Sequence, residues 1–272
     1  MEKRVYRQFP GKGLSYLLLF LSAVVVLSGL LGRGVDDGLV IGVSATETPI
    51  PTDEAFDETM ETREWTLPGA SWCALQLGSF DTQESAQELA AQFRPRGAAG
   101  YVWVDQRWRT LAALYETKED ANAVRTKLWE THGIDAFSYV VDLPPMELRM
   151  QGMKGQLDIL QAAFVHAHGV VAELQALSIL LDRQETTVPE AKETLQSLNA
   201  QVGGVNLRLK QRFAQPVHET VRGLTELFDS LTVYVSGIAG EPGAVELATQ
   251  VKYQALDALY RLKTLYDGLS VT

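Results

Sequence analysis

The spacing of hydrophobic and polar positions changes three times along this chain, and each change predicts a different kind of structure. Residues 13–33 form one long apolar run, and residues 34–68 show no sustained apolar period. Residues 69–144 alternate strand-like stretches with short helical stripes, whereas residues 145–272 carry apolar positions at helical spacing throughout. The pattern therefore predicts an α+β region that follows a separate N-terminal segment and precedes an all-α region.

The first 33 residues predict a membrane anchor. Residues 1–12 hold four basic side chains and one acidic one, and the apolar run that follows has no charge before Arg33. About twenty helical residues rise about 30 Å, the thickness of a bilayer core, and the basic flank predicts a cytoplasmic N-terminus. A cleaved signal peptide needs a small-residue site directly after the run, but Val43-Ser44-Ala45 lies well beyond it. We therefore expect a transmembrane helix at 13–33 and an extracytoplasmic remainder.

Residues 34–68 have the composition of a linker. They contain nine acidic side chains, one basic one and three prolines. Such a composition buries too little apolar surface to offset the entropy of ordering, so we expect an acidic, disordered and extended segment. It accounts for most of the formal charge of −10, which argues against a nucleic-acid partner.

The region 69–144 predicts the order strand, helix, strand, strand, helix, strand. Thr82 and Thr117 are placed to begin the two helices, and Gly133 is placed to end the second. In the second helix, Leu128 and Trp129 are expected to face inward. Both helices can cover one face of a four-stranded antiparallel sheet. By alternation, the other face then receives four side chains with sugar-binding chemistry, namely Gln76, Tyr101, Trp103 and Arg109. Flat rings pack on apolar sugar faces, while amide and guanidinium groups bond to hydroxyl and acetamido groups.

Three stretches of this region resemble a known family, the SPOR (sporulation-related repeat) domain: Gln76-Leu77-Gly78-Ser79-Phe80, the helix entry Glu84-Ser85-Ala86, and Arg109 in the third strand. The resemblance implies a βαββαβ fold that binds peptidoglycan, with a preference for glycan strands stripped of their stem peptides. It also implies a bacterial protein with a membrane anchor that acts at division or sporulation septa. Gln76 and Ser79 match glycan-contacting positions of the family, and Arg109 matches its strand-three arginine.

The chain departs from the family pattern after and before this arginine. Ala113-Leu114-Tyr115 stands where the family often has Gly-Pro-aromatic, and Arg107 stands where it tends to have an aromatic residue. Trp108, which adjoins Arg109, joins the candidates. The predicted glycan-binding residues are Gln76, Ser79, Tyr101, Trp103, Trp108 and Arg109. For the aromatic members the alternative is strand packing, including packing against the downstream helices.

Residues 145–272 predict a four-helix bundle of unknown role. Four apolar stripes at spacings of three and four are separated by short breaks, and Thr187 with Glu190 forms a capping pattern at the start of the second helix. Gly203-Gly204 lies inside that helix, where it would mark a kink or a close helix crossing. The stripes predict a buried core, and an apolar stripe that is not buried in this core would bind a protein partner.

No catalytic or metal-binding pattern accompanies these segments. Cys73 is the one cysteine and is expected in the core. His166 and His168 are two positions apart on a helix, whereas two metal ligands on one helix face are typically four positions apart. We therefore expect no enzyme activity, cofactor or metal site. The leading hypothesis is a single-pass protein of the bacterial cytoplasmic membrane that binds peptidoglycan strands. The alternatives are a membrane-tethered scaffold whose sheet packs on the helical domain, and a cell-wall enzyme.

Overall fold

The structure, a computed structural model, describes residues 59–213, 218–238 and 242–270. The predicted cytoplasmic tail, the transmembrane helix and most of the linker lie outside the described residues, so those predictions stay predictions. The described strands are β1 Met60–Leu67, β2 Ala70–Phe80, β3 Tyr101–Val104, β4 Trp108–Tyr115, β5 Phe137–Leu143 and β6 Met146–Met153. The helices are α1 Gln83–Phe93, α2 Lys118–His132, α3 Lys154–Asp182, α4 Val188–Arg212, α5 Glu219–Gly237 and α6 Ala244–Ser270.

The strands β2 to β5 and the helices α1 and α2 form the predicted βαββαβ unit. Its antiparallel sheet has the order β3-β4-β2-β5. The side chains of Thr82 and Thr117 accept the capping hydrogen bonds that begin α1 and α2, and Gly133 ends α2 in the left-handed conformation. Both helices cover one face of the sheet, where Cys73 lies in a small core and burial raises the pKa of its thiol. Trp129, expected to face inward, is instead 61% exposed.

Two strands were not predicted. β1 lies in the stretch assigned to the disordered linker, and it pairs with β6 in an antiparallel ribbon from Met60↔Met153 to Leu67↔Met146. The described strands therefore number six rather than four, and the first bundle helix begins at Lys154. The ribbon packs on α3, because Trp65 meets Phe164 with ring centroids 5.4 Å apart. β1 is ordered because it pairs with β6, a segment distant in the sequence, and its local composition does not predict this pairing.

Four long helices follow the ribbon and pack on one another as the sequence predicted. The capping box of Thr187 and Glu190 begins α4. A Cβ added at Gly203 or Gly204 would meet nothing within 4 Å, so neither glycine marks a close helix crossing. Among the described residues, α3 alone has the length and apolar composition of a membrane span, but 44% of that stretch is buried in this structure. Its apolar side chains serve the core of the bundle.

The last helix, α6, joins the bundle to the rest of the molecule. One hydrophobic core runs from the bundle into the sheet face opposite α1 and α2. The Tyr266 hydroxyl near the end of α6 donates to the Pro68 carbonyl before β2, which leaves His168 Nε2, 2.6 Å away, to donate its proton to the same hydroxyl oxygen. Burial lowers the pKa of His168 and so favours its neutral form. The sheet and the bundle are therefore packed as one unit.

Candidate functional site: the sheet face opposite the helices α1 and α2

The structure brings five of the six predicted residues to one face of the sheet. Directly opposed residues of neighbouring strands share a face. The register places Ser79, Arg109 and Trp103 in one row across the sheet, and Gln76 in the next row with Tyr101. The alternation that the sequence indicated for these strands is therefore present in the fold.

Trp108 lies on the other face. It is opposite Val104 on β3 and Phe80 on β2, and it is adjacent to Arg109, so its side chain must point the opposite way. Thr110 shares its side and donates a hydrogen bond of 2.8 Å from its hydroxyl to the Ala86 carbonyl of α1. The grouping of Trp108 with the other candidate residues is thus wrong in this structure.

The expectation that this face is bare is also wrong, because α6 covers half of it. Tyr101 is 6% exposed and Trp103 is 3% exposed. The Trp103 ring meets the Tyr260 ring of α6 at a centroid distance of 4.9 Å, and the Tyr101 ring meets that of Tyr253 at 5.0 Å. Edge-to-face contacts of this kind are favourable aromatic packing. These two rings are core residues here, as the packing alternative held.

Polar contacts hold α6 on the sheet as well. The Tyr101 hydroxyl donates to Asp257 at 3.3 Å. Lys252, whose side chain is 5% exposed, forms an ion pair of 2.6 Å with Asp182 at the end of α3. Its ammonium group also donates to the Gly97 carbonyl, 2.8 Å away in the loop before β3. A buried charge needs such partners, so Lys252 ties both bundle helices to the βαββαβ unit.

The cost of lifting α6 can be estimated from the side chains that it covers. Tyr101, Trp103, Leu111 and Leu114 lie in the shared core on this face. Exposing a large apolar side chain costs about 1.5–3 kcal/mol, so these four alone would cost roughly 6 kcal/mol or more. Breaking the ion pair of Lys252 and Asp182 would also change the hydration of both charged groups. The covered half of the face is therefore stably closed.

The other half of the face, which we call the open corner, consists of Gln76, Ser79, Asp105, Arg109, Phe137 and Tyr139. Asp105 and Phe137 are exposed, whereas Gln76 is only 8% exposed and the Ser79 hydroxyl is buried without a hydrogen-bond partner in the part of the chain that the structure describes. At its centre the Arg109 guanidinium donates to Gln76 Oε1 and to Asp105 Oδ2, both at 2.9 Å. The guanidinium carbon also lies 4.6 Å from the centroid of the Tyr139 ring. Arg109 is thus fixed in one orientation while a portion of its side chain still reaches solvent.

Asp105 and Tyr139 complete this polar centre. The Tyr139 hydroxyl donates to Asp105 Oδ2 at 2.9 Å. Burial raises the pKa of Tyr139 to about 12, and the bond to Asp105 acts in the same direction. For Asp105, partial burial acts to raise the pKa, but hydrogen bonds from Arg107, Arg109 and Tyr139 outweigh it, and the pKa is lowered. The corner therefore presents a neutral tyrosine and a paired carboxylate, which suits an uncharged polar ligand.

Three residues of the open corner were missed by sequence reasoning. Phe137 lies directly opposite Gln76 on the edge strand β5, and its ring is 44% exposed. Tyr139 follows two residues later on the same face, opposite Ala74. The alternation of β5, compared with the side of β2 that carries Gln76, would have identified both. Asp105 lies in the turn after β3, and the sequence held no comparable signal for it.

Comparison with known families matches residues 73–139, about a quarter of the chain, to the SPOR domain. The match covers the stretch on which the resemblance was based, so this region of the chain is a SPOR domain. Such domains are binding domains for peptidoglycan rather than catalytic ones. No curated protein and no solved structure gives a significant match to the chain. Within the described residues, no group of three or more His, Cys, Asp or Glu side chains is placed to hold a metal ion.

Proposed function

We propose that this protein binds peptidoglycan glycan strands through its SPOR domain, outside the cytoplasmic membrane to which its N-terminal segment anchors it. The family match at residues 73–139 carries this proposal. Its support in the structure is the open corner, where the motif residues Gln76, Ser79 and Arg109 lie together. Hydrogen-bond donors and acceptors beside an exposed aromatic ring are the chemistry that a sugar polymer requires.

The N-terminal apolar run, the acidic stretch and the helical bundle each have a role in this function. The apolar run at 13–33 anchors the chain in the membrane, and the acidic stretch before β1 provides reach toward the wall. The bundle α3 to α6 packs on the SPOR domain through α6, so a protein partner of the bundle would be brought to the same place in the wall. Division septa are the sites at which SPOR proteins generally act, and we propose such a site for this protein.

The test is retention by purified peptidoglycan of the full-length protein, kept in mild detergent. We expect Arg109→Ala to reduce retention about tenfold or more, because a charge-assisted hydrogen bond to a ligand contributes about 1.5–3 kcal/mol. Arg222→Ala is the matched control, because Arg222 lies on the exposed side of α5. No retention of the unaltered protein would reject the proposal, and equal retention of both variants would reject the open corner as the site.

One observation favours a second function, that of a membrane-tethered scaffold. Tyr101 and Trp103 pack on α6 rather than lie open to a ligand, which is what the scaffold alternative expects of this sheet. A scaffold would bind proteins through the bundle and would show no affinity for the wall. The same retention measurement on the unaltered protein separates the two functions.

A further inference from the structure

We propose that α6 truncates the glycan-binding face of the SPOR domain, so that a glycan strand is held at the open corner with Phe137 as the ring on which a sugar stacks. This inference rests on the proposed function and makes it more specific. It replaces Tyr101 and Trp103, the rings that the sequence indicated, with a residue on the opposite edge strand.

The covered half of the face is closed to a ligand. A ligand that had to displace α6 would spend its own binding free energy on exposing the four large side chains described above. That cost lowers the apparent affinity by more than about 10⁴-fold. The ion pair of Lys252 and Asp182, with its bond to the Gly97 carbonyl, would be broken as well. Binding at the open corner, where Phe137 is 44% exposed, does not require α6 to move and carries no such cost.

The open corner offers a ligand an exposed aromatic ring beside polar groups. The Phe137 ring has no aromatic partner among the described residues and lies beside the Gln76 amide across the strands. The Tyr139 ring, by contrast, is engaged by the Arg109 guanidinium and by Trp103, and its hydroxyl by Asp105. Phe137 is therefore the ring available to a ligand, and Tyr139 is a positioning residue that orients Arg109 and Asp105.

The dimensions of the open corner limit the length of the ligand that fits. The corner spans β4, β2 and β5, and three strands at their ordinary spacing cover about 10 Å. The wall of α6 closes the direction toward β3, where Trp103 is buried against Tyr260. The site therefore takes a short segment or an end of a glycan strand, and lengthening the ligand beyond that segment adds no contact.

The first experiment compares variants of the full-length protein for binding to soluble glycan strands without stem peptides. Phe137→Ala should weaken binding roughly three- to tenfold, as expected for removing a ring that is about half exposed before binding. The control Trp129→Ala removes a more exposed ring on α2, on the opposite side of the sheet, and should leave binding unchanged. Unaltered binding by Phe137→Ala while the wild-type protein binds would overturn the inference but not the proposed function. A wild-type protein that fails to bind would reject the proposed function itself.

The second experiment tests whether α6 moves. We expect the amide hydrogen exchange of α6 to be the same with and without the glycan, and the affinity to stay constant as glycan oligomers lengthen beyond a short segment. Faster exchange of α6 amides in the presence of glycan, or affinity that keeps rising with length, would show that the covered half also binds. Both measurements use the wild-type protein, so they do not depend on whether a variant folds.

Discussion

The replacement of Trp103 by alanine distinguishes a core residue from a ligand contact. The side chain is 3% exposed and meets the rings of Tyr260, Tyr139 and Tyr101 at centroid distances of 4.9, 6.0 and 6.5 Å. Truncation of a buried tryptophan costs about 3–5 kcal/mol, and the loss of several edge-to-face contacts places Trp103 in the upper half of that range. We therefore expect Trp103→Ala to lower the melting temperature by roughly 8–20 °C in a protein of this size.

The assay is thermal and urea unfolding of the full-length protein, followed by circular dichroism. Trp129→Ala provides the comparison, because its exposed ring should change the free energy of unfolding by no more than about 0.5 kcal/mol. If Trp103→Ala unfolds at the same temperature as Trp129→Ala, the packing of α6 on the sheet described above is incorrect. A Trp103→Ala protein that is as stable as wild type but has lost glycan binding would restore the open-face hypothesis.

Three further predictions concern the groups that hold the unit together. Lys252→Met should destabilise the protein by about 3–5 kcal/mol in urea unfolding, because it leaves Asp182 without its partner, and adding Asp182→Leu should recover much of that loss; a double variant that is no more stable than the single one would contradict this. Folding lowers the pKa of His168 below its ordinary value of 6.5, so the free energy of unfolding should be at its full value above pH 6.5 and should decrease as the pH drops below 6.5. If His168→Gln shows the same pH dependence of unfolding as the wild-type protein, this assignment is refuted. Thr187→Ala should cost about 1 kcal/mol by removing the cap of α4, and a loss as large in Thr186→Ala would show that the capping box is not the cause.

The order of elements in the SPOR domain could be predicted because its signals are local. Thr82 and Thr117 begin helices through hydrogen bonds to residues three positions away, and alternation in β2 and β3 assigns each side chain to a face. The same alternation correctly placed Gln76, Tyr101 and Arg109 on one side of the sheet. Local rules of this kind act within a strand or a helical turn, and the sequence states them directly.

Which group packs on that face of the sheet could not be predicted in the same way. Whether Tyr101 meets a sugar or Tyr253 depends on a helix that begins more than 140 residues later, and an aromatic strand residue serves both purposes equally well. The strand β1 was missed for a similar reason: Glu61 and Glu64 give it the composition of a linker, and its order comes from pairing with β6. Contacts between distant segments decide these points, and a single sequence gives no sign of them.

The β1–β6 ribbon determines how the molecule responds to tension. A pull between Met60 and the SPOR domain acts along the backbone of β1, which continues into β2 after Leu67, so the covalent chain carries the force and the eight pairs of the ribbon are not loaded. A pull between Met60 and α3 acts at the Met60↔Met153 end, where the pairs can separate in succession. A pull that reaches the SPOR domain from Met60 thus leaves the ribbon paired, whereas a pull that reaches the bundle from Met60 can open the ribbon from its Met60 end.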